Sequence, residues 1–437
     1  MGLASTRAPA ATASYWQREG AGTALQVSSP PASADIAIIG GGLAGVSAAL
    51  AILDRQPGAS VAVLEQRVVG YGASGRNGGL LSPLPVPVWL LTADTNADHA
   101  WALQALNRKL HQLGAWLAET VPESEITPCT LHLQATGRLT TSGLGVIAQT
   151  LDRCRIDHRM IDEPGRDGRP TMALPAFTVH PYRLVRALAA RAIAKGAVIC
   201  EQAAVAGIEP ASSSGTRIRL ADGTAMEAGK VLVCTNAYTH AIAGPKAPRA
   251  KVVRNYMVET EALDDETVAR LGGGQRFIVE LNKSYIFYRL RQRRLIYGGV
   301  ETFFGAAKLD YEVPAGVLQK LEKHLAQSAP WRREPLPIAS AWGGNFHSTA
   351  TDLPIIRGAA QGDGISFNIG YGGTGVALTQ LFAPQAAEAV LSRPCGDVDD
   401  ARIAEIVART RVPLAGLLRL GARVVRNIVV GTSARAA

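Results

Sequence analysis

The chain has 437 residues, of which 47% are hydrophobic and 19% charged, with a net charge of +9. That is apolar material for a large core, which excludes a disordered or fibrous chain, and the length suits two domains or one elaborate one. The positive charge is spread, with no basic run longer than a pair, so it reads as solvated surface rather than a nucleic-acid footprint.

Five cysteines (Cys129, Cys154, Cys200, Cys234 and Cys395) are odd in number, far apart and without a C-x-x-C pair. They indicate neither a zinc site nor a disulfide framework, and they point to a reducing cytoplasm. Residues 1–34, rich in Ala, Ser and Pro, form an expected leader without the apolar run of a secretory signal. Within it, Ser14-Tyr15-Trp16 is expected to dock on the body of the protein.

Ile36–Ile39 is a short apolar run with β-branched residues, suited to a strand buried on both faces. Gly40, Gly42 and Gly45 follow as G-x-G-x-x-G, and an Ala/Leu-rich helix runs on to Leu53. The first glycine permits a tight turn and the second lets backbone approach a pyrophosphate. The third lets the helix pack closely on the strand, so that its N-terminus faces the phosphates. Val61–Leu64 reads as the next strand and delivers Glu65, twenty residues past Gly45, where a carboxylate accepts from a ribose. Residues 36–53 carry no charge and have nearly the length of a membrane span, but their central glycines fit the dinucleotide unit and not a continuous helix.

Gly70-Tyr71-Gly72-Ala73-Ser74-Gly75-Arg76-Asn77-Gly78-Gly79 is too glycine-rich for helix or strand. Its backbone N–H groups suit a second cofactor contact, the alternative being a surface loop without a ligand. Leu103, Leu106, Leu110, Leu113 and Leu117 give an amphipathic helix over 98–120, and His180-Pro181 opens another that is capped near Gly196. Val198–Cys200, Gln202–Ile208, the hairpin around Asp222-Gly223, and Lys230–Cys234 read as strands, the last ending in Thr235-Asn236. The second half is β-rich: Lys251–Thr260, Arg276–Glu280, Ser284–Leu290 and Arg294–Val300, with a helix over 314–327. Ile365–Ile369, the turn Gly370–Gly375 and a helix over 376–391, kinked or broken at Pro384, repeat the opening physics of strand, glycine turn and helix N-terminus. After Arg411 a basic amphipathic segment is expected to pack on its own domain rather than on a membrane.

Taken together these motifs resemble the FAD-dependent D-amino-acid oxidase-like family, and within it the bacterial γ-glutamylputrescine oxidase branch. The likeness rests on Ser14-Tyr15-Trp16, the Gly40–Glu65 unit, the run at 70–79, His180-Pro181, Thr235-Asn236-Ala237, Tyr288-Arg289, Trp342-Gly343-Gly344 and Gly370–Gly375. It implies an α/β fold: a Rossmann-like FAD-binding domain of the glutathione-reductase type (35–95, 165–245 and 350–395) with an interleaved, mainly antiparallel β substrate domain (96–164 and 246–349) and a helical tail (396–437). It implies noncovalent FAD held by Gly40, Gly42, Leu43, Ala44, Gly45, Glu65 and Gln66 at the ADP half, with Val205 at the adenine. Gly72, Ala73, Ser74, Arg76, Asn77, Gly78, Gly79 and Leu80 then pass beside the pyrophosphate and ring, with Thr235 and Asn236 nearby. Gly372, Gly373, Thr374, Gly375 and Val376 stand at the pyrimidine end of the flavin, where a helix N-terminus stabilises developing negative charge.

The chemistry implied is oxidation of the C–N bond of a small amine or amino acid to an imine, with O2 as acceptor and hydrogen peroxide as product. The alternatives are a dehydrogenase passing electrons to a quinone or carrier protein, and a flavin-binding protein without turnover. His347 is the candidate proton acceptor, Tyr288, Trp342 and Tyr371 the candidate pocket walls, and Arg289 or Arg254 the candidate carboxylate clamp. Leu80 stands where relatives usually carry glutamine, and Asn345-Phe346-His347 lacks the arginine expected of glycine-oxidase-type enzymes. A homo-oligomer is compatible with the sequence; a nucleic-acid partner or membrane attachment is not expected.

Overall fold

The computed structural model describes residues 13–22, 24–82, 84, 97–161, 170–211, 215–244, 246–281, 286–304, 307, 312–349, 351, 353–359, 364–393 and 397–409. The first part of the leader and the basic segment after Arg411 lie outside these residues. In chain order α1 (Tyr15–Glu19) precedes β1 (Ser33–Ile39), α2 (Leu43–Arg55), β2 (Val61–Leu64) and β3 (Leu80–Leu81). Then come α3 (Ala97–Thr120), β4 (Thr127–Ala135), α4 (Arg138–Arg153), β5 (Arg159–Ile161), β6 (Thr171–Thr178) and α5 (Pro181–Ala194). β7 (Val198–Cys200), β8 (Val205–Pro210), β9 (Thr216–Leu220) and β10 (Ala225–Val233) complete the first half. The second half holds β11 (Lys251–Thr260), α6 (Asp265–Arg270), β12 (Arg276–Leu281), β13 (Phe287–Arg291), β14 (Arg294–Phe304), α7 (Ala315–Ser328) and β15 (Ile338–Ser348). It ends with β16 (Ile355–Arg357), β17 (Ile365–Ile369), α8 (Gly375–Leu381), α9 (Ala383–Leu391) and α10 (Val398–Arg409).

The first sheet has the order β16-β17-β10-β1-β2-β7 and is parallel from β17 to β7. A crossover through α2 joins β1 to β2, as parallel neighbours require. Both faces are buried: Ile36, Ile38, Val61 and Val63 face the cluster containing α2, while Ala37, Ile39, Ala62 and Leu64 face the opposite cluster with β8 and β9. That explains the uninterrupted apolar runs, each large aliphatic side chain contributing about 1.5–3 kcal/mol by burial. Lys230–Cys234 is not a separate strand after a hairpin. β10 is one strand whose first residues pair with β9 and whose later ones pair with β1 and β17. Pro384 marks a break: α8 ends at Leu381, and the proline sits in the first turn of α9, where its missing N–H costs nothing.

The second sheet has the order β15-β11-β14-β13-β12-β4-β6-β3, antiparallel except for the β4–β12 pair. β3 and β6 belong to it, although their sequence positions fall within the stretches assigned to the cofactor domain. One face, carrying Tyr256, Tyr288, Tyr297 and Val300, is covered by Val317, Leu321 and Leu325 of α7. The other face looks towards the first sheet. Among the described residues no helix is long and apolar enough to cross a membrane.

The leader helix α1 is short, yet Tyr15 and Trp16 are buried, as their pairing suggested. Ser14 and Gln17 form a reciprocal capping box that holds the helix at its start. Arg18 pairs with the buried carboxylate of Glu259 on β11, which Arg294 and Ser340 also contact.

Candidate active site

The Gly40–Glu65 unit closes as its spacing demands. Gly40 has φ +109°, a left-handed conformation that disfavours a side chain, and a Cβ there would stand 2.8 Å from the carbonyl oxygen of Cys234. At Gly45 a Cβ would fall 2.0 Å from the carbonyl oxygen of Gly40, so α2 lies directly on the end of β1. Glu65 accepts from the N–H groups of Gly41 (2.8 Å) and Arg67 (2.9 Å). Burial raises its pKa, against the lowering pull of those donors.

The 70–79 run forms an ordered turn held through its own carbonyls. Ser14 Oγ donates to Gly75 O at 2.6 Å, Trp16 Nε1 to Asn77 O at 2.7 Å, and Trp342 Nε1 to Arg76 O at 3.0 Å. Within the turn, Arg76 Nε donates to Tyr71 O, and Asn77 Nδ2 bridges the carbonyls of Ala73 and Ser74. Ser74 Oγ in turn accepts from Leu43 N at the start of α2 (2.8 Å), joining the two glycine segments.

At the far end, Asn236 sits at φ +47°, a conformation Asn tolerates. Its Oδ1 accepts from His347 N and Gly370 N, both at 3.2 Å. Gly372 N donates to His347 O at 3.1 Å, so the ends of β15 and β17 are tied together before α8 begins.

Between the sheets lies a cavity of about 1010 Å³. Its wall includes Gly40, Gly42, Leu43, Ala44, Glu65, Gln66 and Val205 at one end. Gly72, Ala73, Ser74, Arg76, Asn77, Gly78 and Leu80 line its side, with Thr235, Asn236 and the run Tyr371–Val376 beyond. The structure therefore gathers into one wall segments that are over 300 residues apart in sequence. Gly45 and Gly79 stand behind that wall rather than in it. A Cβ on Gly79 would meet Val179 O at 2.5 Å.

Of the six residues proposed for the chemistry and the pocket, only Tyr371 reaches the cavity. Its hydroxyl donates to Asn368 Oδ1, and burial raises its pKa far above that of a free phenol. Tyr288 points to the opposite face of the second sheet and stacks on Tyr297 at 5.3 Å. Arg289 is buried behind β3, donates to Val179 O (2.9 Å) and Gly79 O (3.4 Å), and lies over the ring of Trp16. Burial and the neighbouring Arg291 lower its pKa to about 9. Trp342 supports the 70–79 turn from behind. His347 is fully buried, neither ring nitrogen has a hydrogen-bond partner, and burial with the adjacent His240 lowers its pKa to about 4. Arg254 is also outside the wall and donates to Asn345 Oδ1 at 2.7 Å.

The antiparallel sheet supplies lining residues that the sequence reading did not single out. Leu131, Leu133, Val253, Met257, Phe277, Val279 and Phe287 make an apolar floor, with Asn255 and Glu301 among them. Alternation along β11 places Val253, Asn255 and Met257 on one face and could have identified them; nothing in the pattern announces Glu301.

Residues 35–389 match the family described as FAD dependent oxidoreductase. This chain belongs to that family. It is an FAD-dependent oxidoreductase, and the residues present fit the cofactor: a backbone cradle that Cβ atoms would fill, a helix N-terminus opening on the cavity, and the Glu65 carboxylate beside it. The chain is 26% identical over 387 residues to the probable oxidoreductase OrdL of Rhizobium meliloti, covering 82% of this chain and 83% of that one. It is 26% identical over 373 residues to the gamma-glutamylputrescine oxidoreductase of Escherichia coli, covering 81% and 83%. Among solved structures, glycine oxidase from Geobacillus kaustophilus aligns with TM-score 0.69 at 20% identity, over 84% of this chain and 96% of that one. L-proline dehydrogenase from P. horikoshii aligns with TM-score 0.70 at 17% identity, over 87% and 100%. These two likenesses establish the shared fold.

Proposed function

We propose that the cavity binds FAD noncovalently and oxidises the C–N bond of a small amine, with O2 as electron acceptor. The observation carrying this reading is that one cavity has a glycine cradle at one end and an apolar side-chain floor at the other. In this reading Gly40, Gly42, Leu43, Ala44, Glu65, Gln66 and Val205 hold the ADP half, with Gly45 letting α2 pack closely on β1. Residues 72–80 and 372–376 hold the flavin end, and the parallel sheet is the cofactor domain. Bound FAD supplies the two-electron acceptor that turns a C–N single bond into an imine, which water then hydrolyses.

The chain's own contribution is to orient the amine and keep it neutral. A floor of Leu, Val, Met and Phe side chains disfavours an ammonium close to it, which lowers an amine's pKa by desolvation. Several similar proteins act on C–N bonds by name, which supports such a substrate: gamma-glutamylputrescine oxidoreductase, glycine oxidase and iminodiacetate oxidase. Neither candidate clamp, Arg289 or Arg254, lines the cavity; of the basic residues that do, Arg249 and Lys251 are exposed and Arg76 donates to Tyr71 O and Gly343 O, which favours an amine over an α-amino acid. L-proline dehydrogenase supports the second reading, electron transfer to an acceptor other than O2. The test is an anaerobic panel of amines and amino acids read by loss of flavin colour, followed by admission of air. Bleaching by amines, with peroxide formed in air, is expected. Bleaching without peroxide selects the dehydrogenase, and a flavin that no compound bleaches overturns the proposal.

A further inference from the structure

Two indoles drawn from far apart in the chain fix the 70–79 turn from outside. Trp342 Nε1 on β15 donates to Arg76 O at 3.0 Å, and Trp16 Nε1 on α1 donates to Asn77 O at 2.7 Å. Both rings are fully buried and neither lines the cavity, whereas Asn77 and Gly78 do. The two acceptors belong to consecutive peptide units. In a trans peptide the C=O and the following N–H point in opposite directions, so each carbonyl held outward turns one N–H away from its indole. Those are the N–H groups of Asn77 and Gly78. Among the described residues neither has an acceptor, and backbone donors shielded from water are nearly always paired. The next donor, Gly79 N, is satisfied inside the turn by Asn77 Oδ1 at 2.8 Å. Two adjacent donors on the cavity wall are thus left for a ligand.

Resting on the reading above that this turn holds the flavin end, we propose that Trp16 and Trp342 are positioning residues that raise the redox potential of bound FAD, by presenting the N–H groups of Asn77 and Gly78 to the ring. An indole N–H can only donate. A flipped peptide would set its own N–H against that donor and leave both unpaired, so each indole tolerates one orientation of its peptide plane. A Ser or His in the same place would accept as readily as donate. The rings are themselves locked. Arg289 and Arg291 lie over Trp16 at 4.8 and 5.6 Å, and His180 meets it edge-on at 5.2 Å. Trp342 is packed in the core with Met257, which it faces across β11.

The chemical consequence follows from charge. FAD becomes electron-rich on reduction, and a hydrogen bond to an acceptor carrying negative charge is stronger than one to a neutral acceptor. Donors held at the ring therefore stabilise the reduced form more than the oxidised one. Slack in the turn gives that advantage up, because donors that must reorient as the charge arrives stabilise it less.

The test is the midpoint potential of the flavin in the holoenzyme, read by slow reduction beside a reference dye. It is measured in the native protein, W16F, W342F and chains carrying benzothienylalanine at either position, which keeps the indole's shape but has sulfur in place of the N–H. Flavin content and melting midpoint are recorded for each. Every replacement is expected to weaken reduced FAD about tenfold more than oxidised FAD, the margin between a charged and a neutral acceptor. For a two-electron couple that lowers the potential by about 30 mV. Loaded variants with the native potential and only a lower melting midpoint overturn the proposal, as do isosteric variants that lose both forms of FAD equally. G78A tests the underlying reading separately. A Cβ there would stand 2.9 Å from Phe287 and 3.1 Å from Phe277, and should alter the visible spectrum of the flavin. A G78A protein with native FAD affinity and a native spectrum overturns the placement of the turn at the flavin.

Discussion

The two sheets meet at one cavity but present different atoms to it. The parallel sheet offers turns and backbone: Gly40 at its left-handed φ, α2 seated on the end of β1, and a turn whose carbonyls are held by side chains from α1 and β15. The antiparallel sheet offers side chains, and which ones depends on the register of a single strand. A cradle for a fixed cofactor is built from groups every residue carries, with glycine placed where a Cβ would intrude. A floor for a particular substrate is set by the identity of the residue facing in. Changes on the cofactor side should therefore abolish loading, whereas changes on the floor should redirect selectivity and leave loading intact.

The largest effect is expected at the turn. In G45V the new side chain collides with Gly40 O, and the protein should purify without flavin, measured as the ratio of visible to ultraviolet absorption. Next is W16A. It removes a fully buried indole and its bond to Asn77 O, and should cost about 3–5 kcal/mol in denaturant titration while hastening flavin release. E65A removes a charged acceptor and should weaken FAD binding about ten- to hundredfold by fluorescence titration, with the fold retained. In the native protein FAD affinity should fall on acidification, because the raised pKa of this carboxyl lets it protonate in the empty site before a ribose can use it.

The effect at His347 is confined to acidic pH. It stays neutral in the fold down to about pH 4, whereas the unfolded imidazole takes up its proton near 6.5. Its contribution is thus complete above the unfolded value and is lost as pH falls through that window, with a limiting slope of about 1.4 kcal/mol per pH unit. H347L should flatten that part of the stability profile, and identical profiles for the two proteins would contradict the assignment.

The same contrast explains what the sequence revealed. Strand, glycines, helix, strand and Glu65 were legible because the unit is local, each residue type being demanded by geometry within 35–65. The docking of Tyr15 and Trp16 was legible from their hydrophobicity alone. The floor was not, for two reasons. Tyr288 and Phe287 are adjacent on β13, and alternation sends one to each face without saying which. Glu301 was hidden by a bulge in β14 that no local pattern announces. Arg289 was a candidate substrate clamp because a guanidinium suits bidentate binding of a carboxylate, yet its partners are the backbone carbonyls of Gly79 and Val179, brought near only by the fold.

Titration of the protein with FAD, followed by flavin fluorescence and visible absorption, tests the central claim most directly. The account predicts saturation at one FAD per chain in the native protein and no saturable binding in G45V. A native protein that stays colourless after incubation with FAD, or a G45V variant that loads as fully, would contradict the convergence of both glycine turns on one flavin.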